Sequence, residues 1–117
     1  MTTSMTPGPT VDPDRLRELR DDYGDLADEL LTLFETTAAT TLDELRAAHE
    51  AGERDEVRRL AHRLKGSARN VGATGMADLA AALEQDPPDA PAAIPRLRDA
   101  LEPTCAQLRA TLSEDYN

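Results

Sequence analysis

Aromatic residues are almost missing from this 117-residue sequence, which has no Trp, one Phe and two Tyr. Val and Ile are equally scarce, whereas Leu, Ala, Glu and Arg abound, so the composition disfavours strands and predicts helices. A single cysteine, Cys105, excludes an internal disulfide and a thiolate metal site, and fits a reducing, cytoplasmic setting. Positive charge is also short: 13 Lys+Arg stand against 23 Asp+Glu, a formal net charge of -10. Such a chain is repelled by phosphate backbones and anionic membrane surfaces unless its cations gather on one face, which argues against nucleic-acid and membrane partners. No apolar run approaches the ~18 residues of a membrane span. The first residues lack the charged-then-apolar pattern of a signal segment. The length fits one domain.

What is present is helical periodicity. Residues 1–10 (MTTSMTPGPT) have none and read as a disordered lead. Asp12 and Pro13 then offer an N-cap and a first helical position for a short helix carrying Leu16 and Leu19, expected to act as a lid. From Asp25 to Ala51 there is no Pro or Gly. Over that stretch Leu26, Leu30, Leu33, Phe34, Thr37, Thr41, Leu45 and Ala48 recur three and four apart, the spacing of one long amphipathic helix that stops at Gly52. Asp55 is a candidate cap for a third helix bearing Val57, Leu60, Leu64 and Val71. Thr74 is a candidate cap for a fourth with Met76, Leu79, Ala80 and Leu83. The run Asp86 to Pro91 reads as a stiff connection. A last helix follows with Ile94, Leu97, Leu101, Cys105, Leu108 and Leu112, Pro95 in its first turn and Pro103 positioned to kink or split it. Cys105, on the apolar stripe, reads as a small buried filler.

Four amphipathic helices on short loops can hide their stripes only against one another. The expected fold is therefore all-α: an antiparallel four-helix bundle with a short additional N-terminal helix. One such domain is expected over residues 11–113, with a tail at 114–117.

The third helix carries the chemistry. At ~100° per residue, Val57, Leu60, Leu64 and Val71 share one stripe, and His62 projects to the opposite, solvent side. Arg58 and Arg69 lie within about 40° of the His62 direction on the same wheel. Lys65, the one lysine among thirteen cations, stands at i+3. Gly66 stands at i+4, in mid-helix, where Gly costs about 1 kcal/mol relative to Ala. A helical side chain covers the surface over the preceding turn, so a side chain at position 66 would lie across the His62 ring, and Gly leaves it open. Arg54, Arg58, Arg59, Arg63, Lys65 and Arg69 make this helix a basic strip in an acidic chain. Nearby cations favour the neutral, nucleophilic imidazole and stabilise an anion attached to it. An exposed imidazole beside a flexible ammonium is suited to accept a phosphoryl group.

The stretch Ala61-His62-Arg63-Leu64-Lys65-Gly66-Ser67-Ala68, then Val71-Gly72-Ala73 and later Leu79, Leu83 and Glu84, resembles the signature of histidine-containing phosphotransfer (HPt) domains. With the Leu-Leu-Thr-Leu-Phe run of the long helix, the resemblance spans roughly residues 12–112. It implies a four-helix bundle whose His62 is reversibly phosphorylated on Nε2 and exchanges the phosphoryl group with the aspartate of a response-regulator receiver domain. Lys65 then stabilises the phosphate and Gly66 gives steric clearance. Arg58, Arg59, Arg63, Arg69 and Ser67 are the partner-facing candidates. The sequence departs from the pattern in Ala68, where a second Ser is common, and in Asn70-Val71, which replaces a more apolar pair. The resemblance further implies a phosphocarrier with no kinase activity of its own, no cofactor, and Mg²⁺ held by the receiver. A hybrid histidine kinase is a second possible partner.

Other readings of the same residues have less behind them. His49 fits an ordinary residue near a helix C-terminus. A di-iron bundle needs Glu-x-x-His pairs, but Arg46 and Arg59 stand three before the two histidines. Lys65-Gly66-Ser67 lacks the upstream glycines and strand of a phosphate-binding loop. The alternative that stays open on sequence alone is a non-catalytic helical module that binds a receiver or kinase, or dimerises, without carrying phosphate.

Overall fold

The computed structural model describes residues 10–114; the expected lead, apart from Thr10, and the expected tail, apart from Glu114, lie outside the described residues. Five α-helices follow in order: α1 Pro13–Tyr23, α2 Leu26–Glu50, α3 Arg54–Asn70, α4 Thr74–Gln85 and α5 Ala90–Glu114, with a 3₁₀ turn at Pro87–Asp89. Helices α2 to α5 run up and down around one core, each packing on its two neighbours, and α1 lies across α2 and α5. This is the expected four-helix bundle with an extra N-terminal helix.

Local chemistry explains most boundaries. The Asp12 carboxylate caps α1 by accepting from the Asp14 and Arg15 amides at 3.0 and 3.4 Å, and Pro13 fills the first turn. Gly52 takes φ 73° just after α2, the left-handed conformation that ends a helix. Two expected caps are corrected: α3 begins after Glu53 and α4 after Ala73, neither with a side-chain cap. Asp55 instead pairs forward with Arg58, and the Thr74 hydroxyl donates to the Thr10 carbonyl.

The connection before α5 is shorter than the sequence suggested, because Ala90 and Pro91 already belong to the helix. Pro95 therefore sits in its sixth position, past the first turn. Pro103 does not split α5, which runs unbroken to Glu114. Pro103 and Asp99, whose carbonyl loses its partner there, are both exposed, so water can serve the orphaned oxygen.

The core differs from the expected stripe in one place. Along α2 the buried residues are Ala27, Leu31, Phe34, Ala38, Thr41, Leu42, Leu45 and Ala48. Leu26 and Leu33, expected inside, are 54% and 61% exposed, and Thr37, expected on the same stripe, is exposed as well. The buried line runs through Ala27, Leu31, Phe34 and Ala38, one position on from the expected one, so Leu26 and Leu33 face solvent while Leu30 stays partly buried against the core. Cys105 is buried as expected, and burial pushes its thiol up to about 11.

Candidate functional site

The apolar stripe of α3, Val57, Leu60, Ala61, Leu64 and Ala68, is buried against the rest of the bundle. That burial fixes the helix rotation and turns His62 outward, with its side chain 67% exposed. Its neighbour across the groove is Glu84 on α4. The ring Nδ1 lies 2.7 Å from Glu84 Oε2, and Lys65 Nζ lies 2.6 Å from Glu84 Oε1. One carboxylate thus joins the histidine and the only lysine, each through a different oxygen. Glu84 and Lys65 are each only 19% exposed, so this pair is better shielded from water than the histidine it supports. The Lys65 hydrogen bond, followed by the His62 hydrogen bond, holds the Glu84 carboxyl below the usual carboxylate value, against partial desolvation.

The contact has a chemical consequence. A carboxylate facing Nδ1 accepts from Nδ1–H and so selects the tautomer whose lone pair is on Nε2. Nε2 points to solvent, where an electrophile can reach it.

The remaining candidates divide. Arg58 pairs with Asp55 at 3.3 Å and its Nε donates to the Glu84 carbonyl at 3.4 Å, bracing α3 on α4. Arg59 is hydrogen-bonded to Glu56 at 2.8 Å. Arg63 reaches α2, where it pairs with Glu44 at 2.7 Å. The basic strip expected around His62 is therefore largely paired off with carboxylates. These pairs are exposed, and such pairs contribute roughly 0–1 kcal/mol each, so a dianion or a docking partner can recruit the arginines at little cost. Arg69, in the last turn of α3, is exposed and pairs with no described carboxylate. The Ser67 hydroxyl donates to the Arg63 carbonyl at 3.1 Å within the helix, so it does not hold His62.

Gly66 is exposed, and a Cβ built there meets nothing within 4 Å. Helix packing therefore does not require glycine at 66, and the surface beside the ring is open. Gly66→Leu should retain the fold and gain helix stability by several tenths of a kcal/mol. It should slow phosphoryl transfer by about tenfold by covering the ring. Rapid-quench transfer assays check this; an unchanged rate would remove the clearance argument.

Sequence reasoning included Glu84 in the motif but gave it no task. The signal was its position, since Met76, Ala80 and Leu83 fix the buried side of α4 and leave Glu84 at its edge, beside the exposed face of α3. Among the described residues no group of three or more His, Cys, Asp or Glu is arranged to hold a metal ion. No described helix is long and apolar enough to cross a membrane.

A helical bundle that presents one histidine to solvent, with its Nδ1 held by a carboxylate and a lysine alongside, defines a phosphoryl-accepting bundle. Residues 29–111 match the model of the Hpt domain family. The chain belongs to the Hpt domain family, and its function is histidine phosphotransfer within a phosphorelay. Its structure is similar to the crystal structure of histidine-containing phosphotransfer protein B (HptB) from Pseudomonas aeruginosa PAO1. That match has a TM-score of 0.78 at 27% sequence identity, covering 93% of this chain and 96% of the other. No curated protein matches the sequence significantly.

Proposed function

We propose that His62 is the phosphoacceptor and that it exchanges its phosphoryl group with the aspartate of a response-regulator receiver domain. The observation that carries this reading is the His62 Nδ1–Glu84 contact at 2.7 Å beside an open Nε2. In the forward step the Nε2 lone pair attacks phosphorus, the N–P bond forms, and the bond from phosphorus to the aspartyl oxygen breaks, releasing the carboxylate. No proton has to leave the ring, because Nδ1 already carries it. The positive charge that develops on the imidazole lies against Glu84, and stabilising charge where it develops is the largest catalytic lever available to such a site. Lys65 supplies the second half by moving its ammonium from Glu84 to the phosphoryl oxygens. Arg58, Arg59, Arg63 and Arg69 form the rim that meets the partner. In this reading the chain is a phosphocarrier with no kinase activity of its own. It needs no cofactor, Mg²⁺ belongs to the receiver, and a hybrid histidine kinase is a further partner in the cytoplasm.

Incubating the protein with a phosphorylated receiver and Mg²⁺ tests the proposal. Acid-labile, base-stable phosphate should appear on His62, located by mass spectrometry. If phosphate never reaches that residue from any receiver, the reading is wrong.

Glu84 has its own test. Glu84→Ala should slow transfer by roughly 10- to 100-fold, the range lost when a carboxylate that orients an imidazole through its other nitrogen is removed. It should also move the ¹⁵N spectrum of the His62 ring away from the Nδ1–H tautomer. Because the folded Glu84 carboxyl titrates below its ordinary value, the contact persists at neutral pH and is lost as pH falls through that lowered value. A ring tautomer unaffected by Glu84→Ala would refute the positioning role.

A further inference from the structure

Helix α4 ends one residue after Glu84, and the chain beyond it has few amides to offer. The last four carbonyls of an α-helix have no partner inside it. For the Glu84 carbonyl, the amides three and four positions on would close a 3₁₀ or an α bond. Those positions are Pro87 and Pro88, and proline has no N–H. The other amides of the connection are already committed. That of Asp86 donates to the Ala82 carbonyl at 3.0 Å, that of Asp89 to the Asp86 carbonyl at 2.9 Å, and that of Ala90 to the Pro87 carbonyl. The donor that reaches the Glu84 carbonyl comes from another helix: it is Arg58 Nε, at 3.4 Å.

Charge points the same way. Helix α4 contains no Lys, Arg or His, so no cation of its own complements the partial negative charge at its C-terminus. Arg58 brings a guanidinium there. Its other contact, with Asp55, is to a carboxylate whose side chain is 99% exposed, and a pair so open to water contributes little. Arg58, His62 and Lys65 stand four and three positions apart on α3, and all three meet a single residue of α4. Arg58 takes the main chain of Glu84, while His62 and Lys65 take its two carboxylate oxygens. Arg59 and Arg63 differ, because they bind side chains away from Glu84. With its carbonyl unpaired, the turn that carries Glu84 would fray, and a displacement of about 1 Å in a group that orients a reacting atom can cost 100-fold in rate.

Resting on His62 as the phosphoacceptor, we propose that Arg58 is a positioning residue for phosphoryl transfer. It caps α4 at Glu84 in place of the amides that Pro87 and Pro88 lack, and so keeps the Glu84 carboxylate on His62 Nδ1. It acts through Glu84 and touches no reacting atom.

Arg58→Met keeps a long stem without donor or charge, and Arg58→Lys restores both. The side chain is exposed, so both variants should fold, which circular dichroism checks. Labelling of His62 by phosphoramidate reads the site without a receiver: the P–N bond of the reagent breaks, ammonia leaves and the bond to Nε2 forms. Arg58→Met should slow this labelling by about five- to tenfold, at or below the lower end of the Glu84→Ala range. It should lower kcat with a phosphorylated receiver by the same factor, while any loss at the rim shows in KM. Arg58→Lys should return to within about twofold of the parent. In the Glu84→Ala background Arg58→Met should have no further effect on labelling, because the group through which it acts is gone. The ¹⁵N spectrum of the His62 ring in Arg58→Met should move toward that of Glu84→Ala.

Parental labelling and a parental ring spectrum in Arg58→Met, with only KM raised, would overturn the proposal and leave Arg58 as a partner contact. So would a full second loss of labelling in the Glu84→Ala background. A ring spectrum that responds to Arg58→Met in a protein whose parent takes phosphate on no histidine would instead overturn the phosphoacceptor reading on which this inference rests.

Discussion

His62→Gln should fold as the parent does and accept no phosphate from a receiver, a loss of at least about 1,000-fold in labelling. The two halves of this expectation have separate causes. The His62 side chain is 67% exposed and its side-chain hydrogen bond is to Glu84 at the surface, so removing the ring leaves no cavity. Surface changes of this kind usually stay within about 0.5 kcal/mol, and the Gln amide can still donate to the Glu84 carboxylate. The amide nitrogen of Gln has its lone pair delocalised into the carbonyl and is not a nucleophile, so the transfer step has no acceptor. Circular dichroism melts together with receiver-dependent labelling check both halves. Residual labelling at more than one part in a hundred would place the acceptor elsewhere, and His49 is the other histidine to examine.

The largest expected loss of stability lies directly behind the site. Leu60 is fully buried on the stripe of α3 that faces the core. Leu60→Ala removes three carbon atoms from a packed interior and leaves a cavity that rigid neighbouring helices close only in part. Changes of this kind cost about 2–5 kcal/mol, and Leu60, at 0% exposure, belongs in the upper half of that range. For a domain of this size each kcal/mol is worth roughly 4 °C, so the midpoint should fall by about 12 °C or more. Well below that midpoint, transfer should remain within about threefold of the parent, because Leu60 touches the core and His62 faces away from it. Thermal and urea unfolding give the first quantity and transfer at 10 °C the second. A fall of less than about 1 kcal/mol would mean that α3 is not pressed into the core as its buried stripe implies.

The sequence made the bundle and the exposed histidine legible because both depend on one helix at a time. Period and wheel angle place Leu60 and Leu64 inside and His62 outside without knowledge of any neighbour. The partner of His62 lies 22 residues away on another helix, and no wheel drawn for α3 contains it. The same limit explains Lys65. Its place one turn from His62 was visible, but its ion pair with Glu84 depends on how closely α4 packs against α3. Leu26 and Leu33 were misplaced because size was weighted above fit: leucine contributes more to a core than alanine only where a neighbour leaves room for it. The caps of α3 and α4 were missed for a related reason. Glu53 and Ala73 offer no capping hydroxyl or short carboxamide, and at the start of α4 the extended segment of residues 10–12 supplies partners instead, with the Thr10 carbonyl accepting from the Gly75 amide and the Thr74 hydroxyl.

That segment has a wider effect. The Asp12 amide donates to the Gly72 carbonyl at 2.8 Å, the Gly75 amide to the Thr10 carbonyl at 3.1 Å, and Arg15 Nε to the Asn70 carbonyl at 2.8 Å. Gly72 sits at φ 82° with the Asp12 carbonyl 3.0 Å from where a Cβ would stand, so the turn is shaped to receive these residues. The turn joining α3 to α4 sets the stagger between those helices, and the stagger sets how far His62 stands from Glu84. The geometry of a proton-holding contact is thereby anchored by residues that lie 55 to 65 positions away from the atoms they bind (70 − 15 and 75 − 10). The segment from Thr10 to Arg15 serves as the outer splint of a joint whose alignment decides which nitrogen of one imidazole is free.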